Sequence, residues 1–128
     1  MNEEYTRTRF HLGPTTIPLP SCFFIVTGHN PFGQVVSDET NAQMNEILRQ
    51  QVEHEGWPYF EVTGQCEDHA EAGFGVVCSR DDAILLGQEF QQDAIYEVRD
   101  DKVLLADCKE AEEDVLVGHW SELLASSS

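Results

Sequence analysis

Basic residues are scarce in this chain of 128 residues, which has seven Lys and Arg against 24 Asp and Glu and a formal net charge of −17. A nucleic-acid backbone and an anionic membrane surface both need a basic footprint, so we expect no nucleic acid and no membrane as a partner. The acidic residues are spread over predicted loops and helices. They could form a solvated surface, reflect adaptation to salt or dock a basic protein partner, and the first interpretation is the simplest.

Long apolar runs are also absent. No run approaches the roughly 18 residues that are needed to cross a bilayer, and the first ten residues, MNEEYTRTRF, lack the apolar core of a secretory signal. We therefore expect a cytoplasmic protein. No two of the cysteines have C-x-x-C spacing, so we expect free thiols and no disulfide framework at Cys22, Cys66, Cys78 and Cys108.

Phosphate-binding and metal-binding motifs are missing as well. The glycines fit neither G-x-G-x-x-G nor G-x-x-x-x-G-K-[ST], and neither lysine, Lys102 or Lys109, is near a glycine-rich loop. Residues 66–71, CEDHAE, include side chains that bind metals but show no metal-binding spacing, so we interpret them as a polar loop. The sequence therefore predicts no metal and no cofactor.

The most informative stretch is FFIVTGHNPFG at residues 23–33. Its apolar run, residues 23–26, predicts a strand that is buried on both faces. Asn30-Pro31 and Gly33 predict a turn, because proline fixes φ and glycine permits positive φ. A helix is predicted at 37–55, so the strand would bring His29 and Asn30 to the start of that helix.

The order of the other predicted elements indicates the fold class. Periodicity predicts strands at 59–65, 73–78, 94–99 and 103–106, and a second helix from 80 to about 92. This order predicts an α+β fold, a ferredoxin-like split βαββαβ sandwich. Its mostly antiparallel sheet would carry two helices on one face, with a C-terminal strand or hairpin extension. A different α+β sheet with the same elements paired otherwise is the alternative.

The chain divides into three predicted parts. Residues 1–21, with three prolines, form an extended lead-in, and residues 22–108 form a single α+β domain. Residues 109–128 form an acidic linker and a C-terminal segment that packs on the domain, with a disordered tail.

Six polar side chains are candidates for a ligand-binding site in this fold, namely His29, Asn30, Asn41, Glu71, Gln88 and Gln92. With backbone N–H groups at a helix start, they could hold a small polar or anionic ligand. The simpler interpretation is that Asn30 and Asn41 satisfy backbone groups of the turn. His29 and Glu71 could alternatively act as an acid–base pair, although no serine or cysteine has the spacing of a nucleophile elbow.

The chain resembles DUF3293, a family of domains of unknown function, over roughly residues 22–99. The resemblance lies in IVTGHNP at 25–31, in Asn41, in Glu71 and Phe74, and in GQEFQQDAIY at 87–96. Where the family has E-P-S-F, this chain has Glu71-Ala72-Gly73-Phe74. The resemblance implies a small soluble bacterial domain and brings no established activity, substrate or catalytic residue.

Two functional hypotheses follow. The first is a non-enzymatic binding module for a protein partner or a small polar ligand, with its contact surface at the turn from His29 to Phe32 and the polar face of the second helix. A free edge strand could also pair with a second copy and form a homodimer. The alternative is a small hydrolase or lyase that uses His29 and Glu71.

Overall fold

The structure, a computed structural model, describes residues 9–13, 20–28, 36–66, 69–92, 94–108 and 115–124. Its strands are β1 (Arg9–Leu12), β2 (Cys22–Val26), β3 (Tyr59–Cys66), β4 (His69–Val76), β5 (Ala94–Arg99), β6 (Lys102–Asp107) and β7 (Val115–His119). Its helices are α1 (Asp38–Glu55), α2 (Arg80–Glu89) and α3 (Trp120–Leu123).

The seven strands form one sheet in the order β1-β3-β4-β2-β5-β6-β7, and every neighbouring pair is antiparallel. The sheet curls into a half-barrel. The curl brings Phe10 of the edge strand β1 close to β5 and to the segment after α3. There its ring centroid lies 5.0 Å from that of Tyr96 on β5, and its backbone bridges to Leu124 after α3.

The predicted ferredoxin-like sandwich is wrong. The structure is mostly sheet: a curled seven-stranded antiparallel half-barrel with three helices replaces a sandwich of two helices on one flat sheet. The physical reason is that both faces of the sheet bury apolar side chains. The second face is closed by Phe10 from the predicted lead-in and by Trp120 and Leu123 of α3.

Alternation along the strands builds these two cores. On β2, Phe24 and Val26 face the side of α1 and α2, whereas Phe23 and Ile25 face the side of α3. A strand with both faces buried reads as a continuous apolar run, which is what residues 23–26 show. Each fully buried Phe or Val contributes about 1.5–3 kcal/mol relative to an exposed side chain.

Capping groups fix the ends of the two longer helices. The Ser37 side chain accepts a hydrogen bond from the Thr40 N–H at 3.1 Å, and α1 ends at Gly56, whose φ is +77°. The Ser79 side chain accepts from the Asp82 N–H at 3.2 Å. Such caps satisfy helix-end backbone groups that have no partner within the helix.

An ion pair between the exposed Arg80 and the buried Glu97 fastens the start of α2 to the sheet. Glu97 of β5 is 6% exposed, and its Oε1 accepts a hydrogen bond from Nη1 of Arg80 at 2.6 Å. Nη1 of Arg99 lies 3.7 Å from the other carboxylate oxygen. Burying a carboxylate is costly unless charged partners replace the lost water contacts, which Arg80 and Arg99 do here.

The sheet is wider than the two helices that cover its helix side. α1 packs on β4, and α2 packs on β2 and β5. The helix-side face of β3 next to α1 is therefore left as the floor of an open groove.

Among the described residues, the helices are too short or too polar for any of them to cross a membrane.

Candidate functional site

A hydrogen-bonded clamp holds the end of β2 against α1 and β4. The Thr27 hydroxyl donates to the carbonyl oxygen of Ala72 at 2.6 Å, and Nδ2 of Asn45 donates to the same oxygen at 2.9 Å. Oδ1 of Asn45 accepts from the Gly28 N–H at 2.8 Å. One amide side chain therefore connects the beginning of the turn, the helix and the neighbouring strand.

The glycine of this clamp is required by close approach. A Cβ at Gly28 would lie 2.9 Å from the carbonyl carbon of Met44 and 3.1 Å from the backbone nitrogen of Asn45. Any larger residue would push the end of β2 away from α1 and lengthen the hydrogen bonds of Asn45.

The sequence analysis missed Asn45, although a signal was present. Asparagine is a poor helix former whose side chain competes for backbone groups. Its position inside α1, one turn after Asn41 on the same side of the helix, is typical of a side chain that bonds to backbone outside the helix.

The six predicted site residues are only partly described. His29 and Asn30, like Phe32, lie outside the described residues. Asn41 lies in the first turn of α1 and is 6% exposed, and Glu71 is half-buried on β4 opposite Gly64.

The two predicted glutamines contact backbone carbonyls. Nε2 of Gln88, near the end of α2, donates to the carbonyl oxygen of Cys108 at 2.6 Å. Nε2 of Gln92 donates to the carbonyl oxygen of Phe90 at 3.2 Å. Because α2 ends at Glu89, Gln92 lies beyond the helix and does not share a helical face with Gln88.

The topology brings the four described candidates to the same end of the sheet. β2 ends there beside β4 on one side and β5 on the other, as the pairs Val26–Phe74 and Ile25–Tyr96 show. Asn41 and Glu71 lie on the β4 side, and Gln88 and Gln92 on the β5 side. The ligand-binding role of this set, and the His29–Glu71 acid–base pair, stay predictions.

A groove of about 540 Å³ lies beside this end, between α1 and the β3–β4 pair. The residues that line it are Asp38, Ala42, Asn45, Glu46, Arg49, Glu61, Thr63, Ala72, Gly73 and Phe74. Two of them adjoin predicted candidates, since Asn45 lies one turn after Asn41 and Ala72 follows Glu71. The buried Gly73 and Phe74 form its floor.

The charge lining the groove is negative. Asp38, Glu46 and Glu61 are exposed acids, and Arg49 is the one basic side chain among the lining residues. Nε of Arg49 donates to Oε2 of Glu46 at 3.0 Å, and its two terminal nitrogens pair with Glu46 and Glu53. The Glu53 carboxylate also accepts a hydrogen bond from the Tyr59 hydroxyl at 3.0 Å.

The pairs of Arg49 with Glu46 and Glu53 determine which charges in the groove are already neutralised. The hydrogen bond from Arg49 is the main cause that lowers the pKa of Glu46, so that carboxylate stays ionised well below neutral pH. Arg49 is held between two carboxylates and adds no free positive charge for an anion. With Glu46 paired to Arg49, the remaining acids of the lining, Asp38 and Glu61, make the groove better suited to cations than to a phosphate group.

Among the described residues, no three His, Cys, Asp or Glu side chains are grouped so that they could hold a metal ion. Described thiols are Cys22, which is exposed, Cys78, which is half-buried, and Cys108, which is buried, and all three are free. The groove is the candidate binding surface that we consider among the described residues.

Comparison with known proteins leaves one match. A search of curated proteins and a search of solved structures each found none. Residues 26–95 match a family model whose description is "Protein of unknown function (DUF3293)", which confirms the resemblance seen in the sequence. With more than half of its length matched, the chain belongs to the DUF3293 family.

Proposed function

We propose that this chain is a non-catalytic binding domain that holds a basic segment of a protein partner in the groove between α1 and the β3–β4 pair. The observation that carries the proposal is the charge lining the groove: the exposed carboxylates of Asp38 and Glu61, and a third, Glu46, that is paired with Arg49. Lys and Arg side chains of a partner could form charge-assisted hydrogen bonds with these carboxylates.

The floor of the groove supports the same ligand class. Lys and Arg combine a charged end with an apolar stem, and the stem packs on apolar surface while the charge stays near water. Ala42 on α1 and Phe74 on β4 are apolar residues of the lining on which such a stem could pack. The volume of about 540 Å³ lies within the usual range for ligand sites, about 300–1,000 Å³.

The net charge of the molecule adds a long-range attraction. At −17, the chain attracts a basic partner before contact and should raise the rate of association at low salt. This attraction is not specific to a site, so a test must separate the groove from the rest of the acidic surface.

Binding of a fluorescent, arginine-containing nonapeptide to the chain and its variants, measured by anisotropy, makes that separation. We expect Glu61→Lys to weaken binding at least tenfold, because it places a positive charge in the groove. The matched control, Glu55→Lys, makes the same charge change at an exposed position at the end of α1 and should weaken binding less than threefold. Binding should also weaken between 50 and 300 mM NaCl.

Equal losses in Glu61→Lys and Glu55→Lys would contradict the proposal, since they would show attraction to the whole acidic surface without a site. Thermal melts of both variants check that they are folded. An acidic peptide of the same length should not bind.

A further inference from the structure

Resting on the proposed function, we infer that the groove recognises the spacing of basic side chains. It holds an extended peptide segment with two basic residues four positions apart, one at Asp38 and the other at the end formed by Glu46 and Glu61.

The spacing follows from the geometry of α1. Asp38 and Glu46 both line the groove and are eight residues apart on this helix. At 1.5 Å per residue they are separated by about 12 Å along the helix axis. In an extended segment, residues i and i+4 are about 13 Å apart, whereas residues i and i+2 are only about 6.6 Å apart.

The sheet side of the groove places the third carboxylate. Asn45 contacts Ala72, and Glu61 is paired with Phe74, two residues further along β4. Since α1 follows β2 and β4 is antiparallel to β2, α1 and β4 run in the same direction, and Glu61 lies toward the Glu46 end. One end of the groove therefore presents Asp38, and the other presents Glu46 and Glu61.

The middle of the groove has room for a peptide backbone. Three of the lining residues, Ala42, Ala72 and Gly73, are small and leave space between the helix and the strands. Arg49 also lines the groove, where its pairing with Glu46 and Glu53 holds its side chain as part of the helix wall.

Three nonapeptides of equal charge test this inference. Each has blocked ends and two arginines in a Ser/Ala background, with the arginines separated as i,i+2, as i,i+4 or as i,i+6. We expect the i,i+4 peptide to bind roughly fivefold tighter than either of the others in the anisotropy assay at 50 mM NaCl.

Variants locate the origin of this preference. Asp38→Asn and Glu61→Gln should each remove it, so that the three peptides bind alike. Glu39→Gln neutralises the exposed neighbour of Asp38 in the same helical turn, which does not line the groove, and should keep the preference. Circular dichroism of each variant checks that α1 is intact.

Two failures are distinguishable. If all three peptides bind the unmodified chain equally and Glu61→Lys still weakens them, the spacing inference is overturned and the binding function stands. If none of the peptides binds, or if groove variants and controls behave alike, the proposed function fails as well. A preference that survives both Asp38→Asn and Glu61→Gln also overturns the inference.

Discussion

Cys78 lies between β4 and α2, half-buried, with the Asp82 carboxylate nearby. Burial, with a smaller contribution from Asp82, raises the pKa of the Cys78 thiol from 9.0 to about 11. Both causes oppose the thiolate, so the thiol stays protonated and unreactive at neutral pH.

This raised pKa predicts a loss of stability at alkaline pH. Above pH 9 the unfolded chain releases the Cys78 proton while the folded chain keeps it, so the free energy of unfolding should fall between pH 9 and pH 11. After allowance for solvent screening at a half-buried site, we expect a fall of about 1 kcal/mol. Urea unfolding of the natural chain and of Cys78→Ser measures it, because serine does not titrate in this range.

The free energy of unfolding of the natural chain minus that of Cys78→Ser should be constant from pH 7 to pH 8.5. It should then fall as the pH rises to 11. A difference that stays constant over the whole range would show that the folded and unfolded thiols titrate alike.

Features of the site region were predictable where neighbouring residues in the sequence determine them. Strand β2 was predictable from its apolar run, because burial on both faces leaves a local pattern in the sequence. The contacts of Asn45 with Gly28 and Ala72 were not, since they join residues 17 and 27 positions apart. Side-chain bonds of this kind depend on which elements become neighbours.

The short helix α3 is capped by a residue from outside the helix, in the turn between β5 and β6. Its N-cap residue, His119, makes no side-chain cap hydrogen bond. Instead, Asp101, in the turn between β5 and β6, accepts from the Trp120 N–H through its carbonyl oxygen at 2.6 Å and from the Ser121 N–H through its carboxylate at 2.8 Å. The carboxylate also accepts from the Ser121 hydroxyl at 2.9 Å.

Replacements of Asp101 should show how much this cap contributes. Its φ is +72°, a conformation that Asn and Gly tolerate and Ala does not. We expect Asp101→Asn to stay close to the natural stability and Asp101→Gly to lose about 1 kcal/mol for the cap. Asp101→Ala should lose about 2 kcal/mol, since it combines the lost cap with backbone strain. Thermal unfolding followed by tryptophan fluorescence measures the order.

Trp120 makes this measurement informative, because it is 6% exposed and packs on Phe10 and Phe23 in the second core. If Asp101→Ala were as stable as Asp101→Asn, the carboxylate cap would contribute nothing, and apolar contacts and the backbone bond to Trp120 would hold α3.

The order of the central elements was predictable from periodicity, but their place in the sheet was not. β1 pairs with β3 through partners such as Arg9 and Gln65, which are 56 positions apart in the chain. A four-residue strand in a lead-in with three prolines carries too weak a pattern to predict such a pairing. The second core could not be predicted without it, and the ferredoxin-like assignment failed for this reason.

The edges of the sheet bear on the predicted homodimer. On β7, Leu116 pairs with Leu104 while Gly118 pairs with Val103, so Val117 forms a bulge. At the other edge, β1 has four residues and bridges to Leu124. Bulges and short edge strands are devices that interrupt pairing with a second chain, so neither edge is a good template. The homodimer stays a prediction.

The charge of the whole molecule should make its stability depend on salt. The net charge is −17, so folding brings like charges together. Three of these charges are the carboxylates that line the groove. Self-repulsion of this kind destabilises the compact state and is screened by ions. The Debye length falls from about 30 Å at 0.01 M to about 8 Å at 0.15 M, so most of the effect should occur at low salt.

We therefore expect the midpoint of thermal unfolding to rise by several degrees between 0.01 and 0.3 M NaCl and then to level off. KCl should act in the same way, because screening depends on ionic strength and not on the identity of the cation. A midpoint that continues to rise up to 3 M would instead favour adaptation to salt, the interpretation in which the acidic surface needs concentrated ions. In that case the groove carboxylates would serve hydration, and the arginine peptides should fail to bind at the same salt at which the chain is most stable.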